Sequence, residues 1–258
     1  MSQENGILVW RDSADWNDAV KRLLTDCLPK DIKTAIESDP EEYLYYYARW
    51  CEDRNIQWQN GNELPGCHEL LEGIERTYPK IRMFHACRTD DINSYLKDGL
   101  LTLDPKEWIQ KAKNIFISDR FPHITAEHIN SAAKEIANQG REKKICLSFD
   151  DINLIKHTPD YFKYGSESLR IIASHLPRIG SENCMEFLRT IGTPTIFVCD
   201  IPSYRIDKHS FFNMVTELIR WTISYPDKRG EEEASIDFTF TFNSNIGPDF
   251  ITSYYHPI

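Results

Sequence analysis

Apolar residues recur with a helical period in the first part of the chain. After Ser13, apolar side chains follow at Trp16, Val20, Leu23 and Leu24. Residues three and four positions apart share one face of an α-helix. Serine is a favoured N-cap because its hydroxyl accepts a hydrogen bond from a first-turn amide. The pattern therefore predicts a helix that begins at Ser13.

A second helical pattern, DPEEYLYYYARWCEDR, follows in the same part of the chain. It begins with Asp39 and Pro40, a pair that is typical of an N-cap followed by the first helical position. Its aromatic residues fall on one helix face. They are Tyr43, Tyr46, Tyr47 and Trp50. This stripe predicts either a core face or, because Tyr and Trp are enriched at interfaces, a surface that docks a partner.

The pattern changes at Lys80, where short apolar and aromatic stretches separated by helices begin. The predicted strands cover residues 81–87, 114–118, 143–149, 193–201, 236–242 and 250–256. Because these strands do not alternate regularly with helices, we expect an α+β fold with a mixed, largely antiparallel sheet. Residues 1–78 are predicted to form a helical N-terminal appendage, and residues 79–258 are predicted to form a second domain.

The helix after the first of these strands has clear boundary signals. Thr89 is the predicted N-cap, and the two acidic residues Asp90 and Asp91 suit the positive end of the helix dipole. Gly99 is the predicted C-terminal stop. Residues 166–176 and 211–223 have the pattern of further amphipathic helices.

Composition and charge narrow the class of protein. Of the 258 residues, 41% are hydrophobic and 27% are charged, which is typical of globular proteins. No apolar run approaches the ~20 residues that a membrane span needs, and no secretory signal is evident. The net charge of −10 argues against a non-specific nucleic-acid binder, but a local basic groove stays compatible with RNA or DNA as a substrate. We expect a cytoplasmic protein with no membrane partner.

Metal sites and common catalytic motifs are not evident in the sequence. The seven cysteines are scattered, which suits a reducing compartment. Cys51, Cys67 and His68 match no standard zinc spacing. The chain carries no Gly-rich phosphate loop, no H-E-x-x-H motif and no G-x-S-x-G elbow. The chemistry therefore depends on a less stereotyped set of residues, and no metal is predicted.

Several short segments occur in an order that resembles a known family. These are FHACR, a helix that ends in DGL, then IFISD, YFKYGSE and a late strand that begins IDFTF. The order is similar to that of the ADP-ribosyltransferase superfamily, the NAD-using fold of diphtheria-type toxins and poly(ADP-ribose) polymerases. The resemblance covers residues 81–258 and implies a sheet of the ADP-ribosyltransferase type. The N-terminal helices lie outside it.

The resemblance implies that NAD is the substrate and that His85 lies at its binding site. Loss of nicotinamide gives an oxocarbenium-like transition state, which needs positioning and nearby negative charge. His85 and Arg88 are predicted to donate hydrogen bonds to the cofactor. The remaining predicted residues fall in two groups. Tyr161, Tyr164 and Ser166 are predicted to line the cofactor site, and Glu167 or Asp237 is predicted to supply the catalytic carboxylate together with His85.

Each of these residues also has a purely structural interpretation. A histidine in an apolar strand is often a hydrogen-bonded core residue, and Arg88 is equally suited to cap its strand or pair with a neighbouring acid. The YGSE stretch is a turn followed by an N-cap and a first-turn acid. Family members usually carry glutamate where this chain has Asp237. The acids of the RGEEEAS run, Glu231, Glu232 and Glu233, are therefore alternative sources of the carboxylate, although such runs are usually solvated.

The function that the resemblance implies is transfer of ADP-ribose from NAD to a macromolecular acceptor, either a protein or RNA/DNA. Similar small cytosolic proteins are often bacterial toxins or defence effectors, and some of them are held in check by an antitoxin or inhibitor protein. One alternative is a non-catalytic binding module that keeps the fold. Another is an RNA 2′-phosphotransferase, but its paired basic residues are not evident here.

Overall fold

The computed structural model describes the chain in six segments, residues 6–27, 67–102, 104–137, 143–178, 183–224 and 236–257. The helices in these segments are α1 (Ser13–Cys27), α2 (Cys67–Thr77), α3 (Ile92–Asp98), α4 (Pro105–Phe116), α5 (Ala126–Ala137), α6 (Asp151–His157), α7 (Asp160–Tyr164), α8 (Glu167–His175), α9 (Cys184–Leu188) and α10 (Lys208–Ser224). The strands are β1 (Ile7–Leu8), β2 (Lys80–Thr89), β3 (Ile145–Ser148), β4 (Thr193–Pro202), β5 (Thr239–Phe242) and β6 (Ile251–Tyr255). Short 3₁₀ turns cover Ser203–Arg205 and Pro248–Phe250.

The chain divides into two compact units, and each unit is built from two separate parts of the sequence. The first unit comprises Met1–Arg82 and Asp200–Ala234. The second unit comprises Met83–Cys199 and Ser235–Ile258. The long strands β2 and β4 each contribute residues to both units.

The first unit contains the packed helices α1, α2 and α10. Trp10 and Trp16 stack with ring centroids 5.1 Å apart, and Trp221 packs edge-on against both rings. The buried indole of Trp16 also donates a 2.8 Å hydrogen bond to the carbonyl of Trp10. Aromatic side chains of this size supply much of the apolar surface that a small core buries. The helix predicted to begin at Ser13 is confirmed.

The first unit also contains a short strand pairing and, beside it, an ion pair of good geometry. The short strand β1 pairs in parallel with the start of β2. Next along β2, Arg82 donates to both carboxylate oxygens of Asp200 at 2.8 and 3.0 Å. The carboxylate of Asp200 is 7% exposed and Arg82 is 26% exposed. A bidentate guanidinium is well suited to pair a carboxylate that has lost most of its water.

The second unit is built on an open sheet with the strand order β5-β3-β2-β4-β6. β3 is antiparallel to β2 and to β5, and β6 is antiparallel to β4. Gly192, just before β4, lies against the backbone of Thr89 at the end of β2. The strands β2 and β4 therefore also run antiparallel. Phe84, Ala86, Ile196 and Val198 pack in one cluster, so alternation puts His85 and Phe197 together on the other face of the sheet.

Both faces of this sheet are covered, and alternation divides the side chains between them. One face, which we call the Phe84 face, packs against α6 and α7. The buried residues of this cluster are Phe84, Ala86, Ile196 and Val198 from the sheet and Leu154 from α6. The opposite face, which we call the His85 face, carries a row of side chains that crosses the strands. In strand order this row is Phe240, Leu147, His85, Phe197 and Tyr254.

A separate helical cluster completes the second unit, and it is formed by α4, α5, α8 and α9. Trp108, Ala112 and Phe116 recur every four residues along α4 and are all buried in this cluster. Asp104 begins α4 by accepting a hydrogen bond from the amide of Lys106, and a proline occupies the first helical position. No helix in the described segments is long and apolar enough to cross a membrane.

The structure confirms the α+β class and the antiparallel character of the sheet. Five of the predicted strands are present, but the strand predicted at residues 114–118 is wrong. Those residues include the end of α4, where Phe116 continues the buried helical face, so a short apolar run was compatible with either structure. The predicted cap of α3 is also wrong by two residues. Asp91 caps the helix by accepting from the amide of Ser94, and Thr89 is the last residue of β2.

The domain boundary predicted between residues 78 and 79 stays a prediction. The unit that contains the N-terminal residues also takes in Asp200–Ala234, and strand pairing between distant segments has no local sequence signal. The predicted aromatic stripe at residues 43–50 lies outside the described residues, as does its Asp-Pro cap.

The Arg82–Asp200 pair makes a testable contribution to stability. We expect Asp200→Asn to lower the free energy of unfolding by ~3 kcal/mol, because it removes the charge of the carboxylate that binds a partly buried guanidinium at two points. The measurement is urea denaturation followed by circular dichroism. The matched control is Glu186→Gln, which breaks the exposed pair with Arg189 and should cost less than ~0.5 kcal/mol. Equal effects of the two changes would contradict the special role of the buried pair.

Candidate functional site

His85 lies in the middle of β2 with its side chain half-buried on the His85 face. Its ring nitrogen Nδ1 is 3.1 Å from the carbonyl oxygen of Cys146 in the neighbouring strand β3. A carbonyl oxygen only accepts hydrogen bonds, so Nδ1 carries the proton and donates it. In the neutral ring the other nitrogen, Nε2, therefore holds a lone pair. The backbone of β3 thus fixes the tautomer of His85.

Burial also fixes the charge state of His85. Burial lowers the pKa of the imidazole below its usual value, and the hydrogen bond to Cys146 opposes this effect only in part. The ring is therefore neutral at pH 7. Within the described segments no hydrogen bond reaches Nε2. His85 thus presents a hydrogen-bond acceptor, which suits a ligand hydroxyl or amide and does not suit a phosphate.

Arg88 is three residues from His85 and, because strand side chains alternate, lies on the opposite face of the sheet. Its guanidinium donates to backbone carbonyl oxygens of four residues. These are Phe162 at 2.5 Å, Arg189 at 2.8 Å, Ile191 at 2.8 Å and Gly192 at 2.6 Å. Four of its five N–H groups are occupied in this way. These contacts give Arg88 a structural role that needs no ligand, and its predicted contact with NAD stays a prediction.

The YFKYGSE segment lies beside Arg88. Tyr161 and Tyr164 belong to the short helix α7, which ends at Gly165. Gly165 has φ +79°, and a Cβ atom at this position would lie 3.4 Å from Cβ of Arg88. Glycine is favoured here because it adopts positive φ without strain and leaves room for the arginine. Tyr161 packs against the Phe84-face cluster, whereas Tyr164 packs against the helical cluster.

Ser166 and Glu167 begin helix α8. Ser166 occupies the N-cap position as predicted, but its side chain makes no capping hydrogen bond and is exposed. Glu167 lies in the first turn, with its carboxylate 3.8 Å from the guanidinium of Arg170. Arg170 also pairs with Asp160 in α7. Glu167 therefore takes part in the ionic contacts of the α7–α8 corner.

Asp237 is exposed and precedes β5, which begins two residues later. Its carboxylate accepts a 3.3 Å hydrogen bond from the side-chain amide of Asn153 in α6. The adjacent amide of Ile236 donates to the buried carboxylate of Asp150, which also caps α6. Asp237 is thus held beside the start of α6. That helix covers the Phe84 face and not the His85 face.

The structure brings some of the predicted site residues together and separates others. Arg88 contacts the backbone of the YFKYGSE segment directly. His85 projects from the opposite face of the same strand. Neither Glu167 nor Asp237 makes a hydrogen bond or ion pair with His85. The shared role of His85 and a carboxylate in one site therefore stays a prediction.

Tyr95 is a candidate site residue that the sequence reasoning missed. It lies half-buried on α3, and its ring stacks on Phe197 with centroids 4.6 Å apart. Its hydroxyl donates to the sulfur of Cys87, and burial raises the pKa of Tyr95. Cys87 is on the His85 face, two residues beyond His85. A usable sequence signal was present, because Tyr95 lies one helical turn after the cap residue Asp91 and follows the histidine strand directly.

Cys87 has a local environment that suppresses its reactivity. Burial raises the pKa of its thiol to about 11, and the Tyr95 hydroxyl and the Lys111 ammonium oppose this effect. The thiol is therefore protonated at neutral pH and is a poor nucleophile.

The described segments contain no group of three or more His, Cys, Asp or Glu side chains that could hold a metal ion. Of the weak metal candidates, Cys51 lies outside the described residues, and the side chains of Cys67 and His68 are not described. The alternative carboxylates Glu231, Glu232 and Glu233 also lie outside them.

Comparison of the chain with protein-family models, with curated proteins and with solved structures found no match.

The carbonyl contacts of Arg88 predict a large stability effect. We expect Arg88→Lys to lower the free energy of unfolding by ~3 kcal/mol, because a single ammonium cannot reach four carbonyls and leaves some of them unsatisfied. Thermal and urea unfolding measure the change. Arg189→Lys, at the exposed pair with Glu186, is the control and should change stability by less than ~0.5 kcal/mol. A neutral Arg88→Lys variant would contradict the structural role.

The pKa of His85 predicts how stability depends on pH. The unfolded state binds a proton with the usual histidine pKa of ~6.5, whereas the folded state binds it less readily. The free energy of unfolding should therefore fall as pH decreases below ~6.5, by at most ~1.4 kcal/mol per pH unit for this group. In His85→Gln the decrease between pH 7.5 and pH 5.5 should be shallower. The exposed His209, changed to Gln, is the control, and an unchanged slope in His85→Gln would contradict the assignment.

Proposed function

We propose that the protein is an NAD-dependent ADP-ribosyltransferase that moves ADP-ribose onto a macromolecular acceptor, either a protein or a nucleic acid. In this proposal it acts as a cytosolic toxin or defence effector that an inhibitor protein restrains. The single observation that carries the proposal is the state of His85. Its neutral ring, oriented by the Cys146 carbonyl, offers an acceptor for a ribose hydroxyl on the strand that resembles the histidine strand of this superfamily.

The reaction breaks the bond between the nicotinamide nitrogen and the anomeric carbon of the ribose. The bonding electron pair leaves with nicotinamide, and the acceptor forms a new bond to the anomeric carbon and loses a proton. An oriented histidine holds the ribose without a charge of its own. An imidazolium near the developing oxocarbenium would be unfavourable, so the low pKa of His85 suits this chemistry.

Asp237 is the carboxylate candidate whose negative charge is the less compensated by its neighbours. It is exposed, and it accepts a hydrogen bond from the neutral amide of Asn153, so its negative charge is not neutralised by that contact. Glu167 instead lies beside Arg170. A carboxylate that stabilises an oxocarbenium needs its charge available. We therefore assign the catalytic role to Asp237 and a binding or acceptor-positioning role to Glu167.

A second candidate function is a non-catalytic module that binds a nucleotide. It is favoured by the placement of His85 on one sheet face while Asp237 contacts α6, which covers the other face. Such a module keeps the ligand contacts of the His85 face and has no carboxylate near the ribose. The two functions differ in one measurable property, which is release of nicotinamide.

The assignment of Asp237 predicts a kinetic effect. Asp237→Asn should slow nicotinamide release from NAD by about 100-fold while leaving NAD affinity nearly unchanged, because the charge acts mainly in the transition state. Glu167→Gln should have a smaller effect. Nicotinamide release is measured with NAD alone, with cell RNA and with lysate protein. Asp249→Asn, a change at another exposed acid, is the control.

The results separate the candidates. A larger effect of Glu167→Gln would move the catalytic role to Glu167. Nicotinamide release that neither variant alters would contradict both assignments. NAD binding without any nicotinamide release from the unaltered protein would overturn the transferase and leave the binding module.

A further inference from the structure

The aromatic residues first predicted to stack on the cofactor are engaged elsewhere in the fold. Tyr161 packs into the Phe84-face cluster, and Tyr164 packs into the helical cluster. Neither cluster includes the His85 face. If His85 binds the ribose, the stacking surface has to come from residues on its own face of the sheet.

Tyr95 is held over the His85 face at two points. One side of its ring stacks on the fully buried Phe197 at an interplanar angle of 22°. Its hydroxyl donates to Cys87. Phe197 lies on the same face of the sheet as His85, and Cys87 is two residues from His85, at a Cα distance of about 6.6 Å in an extended strand. The ring of Tyr95 therefore lies over the part of this face that carries Phe197 and Cys87.

Tyr95 also keeps part of its surface accessible. The ring is half-buried, and no residue of α3 is fully buried. Because Phe197 covers one side of the ring, the accessible surface belongs to its other side and edges. An aromatic ring that is already immobilised loses little conformational entropy when a second ring stacks on it. An aromatic residue that only packs in the core is normally fully buried, whereas Tyr95 is both fixed in position and partly exposed.

We propose that the His85 face binds the heteroaromatic ring of a nucleotide, with Tyr95 as the stacking residue and Nε2 of His85 as the acceptor for a donor group of the same ligand. This inference rests on the proposed function, because it concerns the same site. The ligand class is thus a nucleotide, such as NAD or ADP-ribose.

The test is isothermal titration calorimetry of the full chain with NAD and, separately, with ADP-ribose. Tyr95→Phe keeps the ring and loses only the contact with Cys87, so its dissociation constant should stay within about threefold of the unaltered protein. Tyr95→Leu removes the stacking surface and should weaken binding about tenfold or more, as loss of a base-stacking ring does.

Two control variants distinguish the faces of the sheet. Tyr161→Leu alters the Phe84 face and should leave the dissociation constant unchanged. Tyr204→Leu alters an aromatic residue that is 77% exposed in the first unit and should also have no effect. If Tyr161→Leu weakens binding and Tyr95→Leu does not, this inference is overturned while the proposed function survives.

A spectroscopic measurement tests the inference even if the Tyr95 variants fail to fold. The Nε2 resonance of His85 in the unaltered protein, identified by its loss in His85→Gln, should move when ADP-ribose is added. If saturating ADP-ribose does not shift this resonance, the inference is wrong. This result is obtained on the unaltered protein and needs no Tyr95 variant. Ligand binding that depends on Tyr95 but is accompanied by no nicotinamide release would instead overturn the transferase and keep the site.

Discussion

The alternation of side chains along β2 decides which residues of the second unit can share a site. His85 and Arg88 are close in sequence, but their odd spacing sends them to opposite faces of one strand. Both faces are covered, so this separation is not a matter of loop movement or rotamer choice. Every candidate contact then belongs to one face or the other. Tyr95, Cys87 and Phe197 lie with His85, whereas Tyr161 lies with Arg88.

Arg88 shows how a half-buried guanidinium can be held mainly by backbone carbonyl groups. A guanidinium has five fixed donors, and its environment supplies four carbonyl oxygens from two different segments. Carbonyl groups that end strands and short helices need partners, and the arginine supplies them. Gly165 and Gly192 allow the backbone to approach closely enough. The end of β2 is thus organised around a polar interaction and not around an apolar one.

Much of the fold was predictable from the sequence, because strand and helix signals are local. The helices at Ser13–Cys27 and Glu167–His175 and the strand that carries His85 follow from periodicity and capping residues. Residues 114–118 show where this reasoning fails, since a short apolar run fits a strand or the buried end of a helix equally well. The opposite placement of His85 and Arg88 was also available from strand periodicity alone.

The candidate site was less predictable than the fold, for a physical reason. The carbonyl partners of Arg88 and the stacking of Tyr95 on Phe197 depend on contacts between residues about 100 positions apart. No local pattern encodes such contacts. Asp237 is likewise positioned by Asn153, on a helix far from it in sequence. The order of short motifs along the chain therefore indicates which residues are candidates. Only the pairing of the strands indicates which of these residues lie close together.

The partners of Arg88 also have a consequence for biosynthesis. The most distant carbonyl, that of Gly192, is 104 residues further along the chain. A ribosome adds ~5–20 residues per second, so about 5 to 20 s pass between synthesis of the arginine and synthesis of this partner. During that interval the guanidinium stays hydrated, and the end of β2 lacks the groups that enclose it. The end of β2 in the nascent second unit is therefore enclosed only after the start of β4 has emerged from the ribosome.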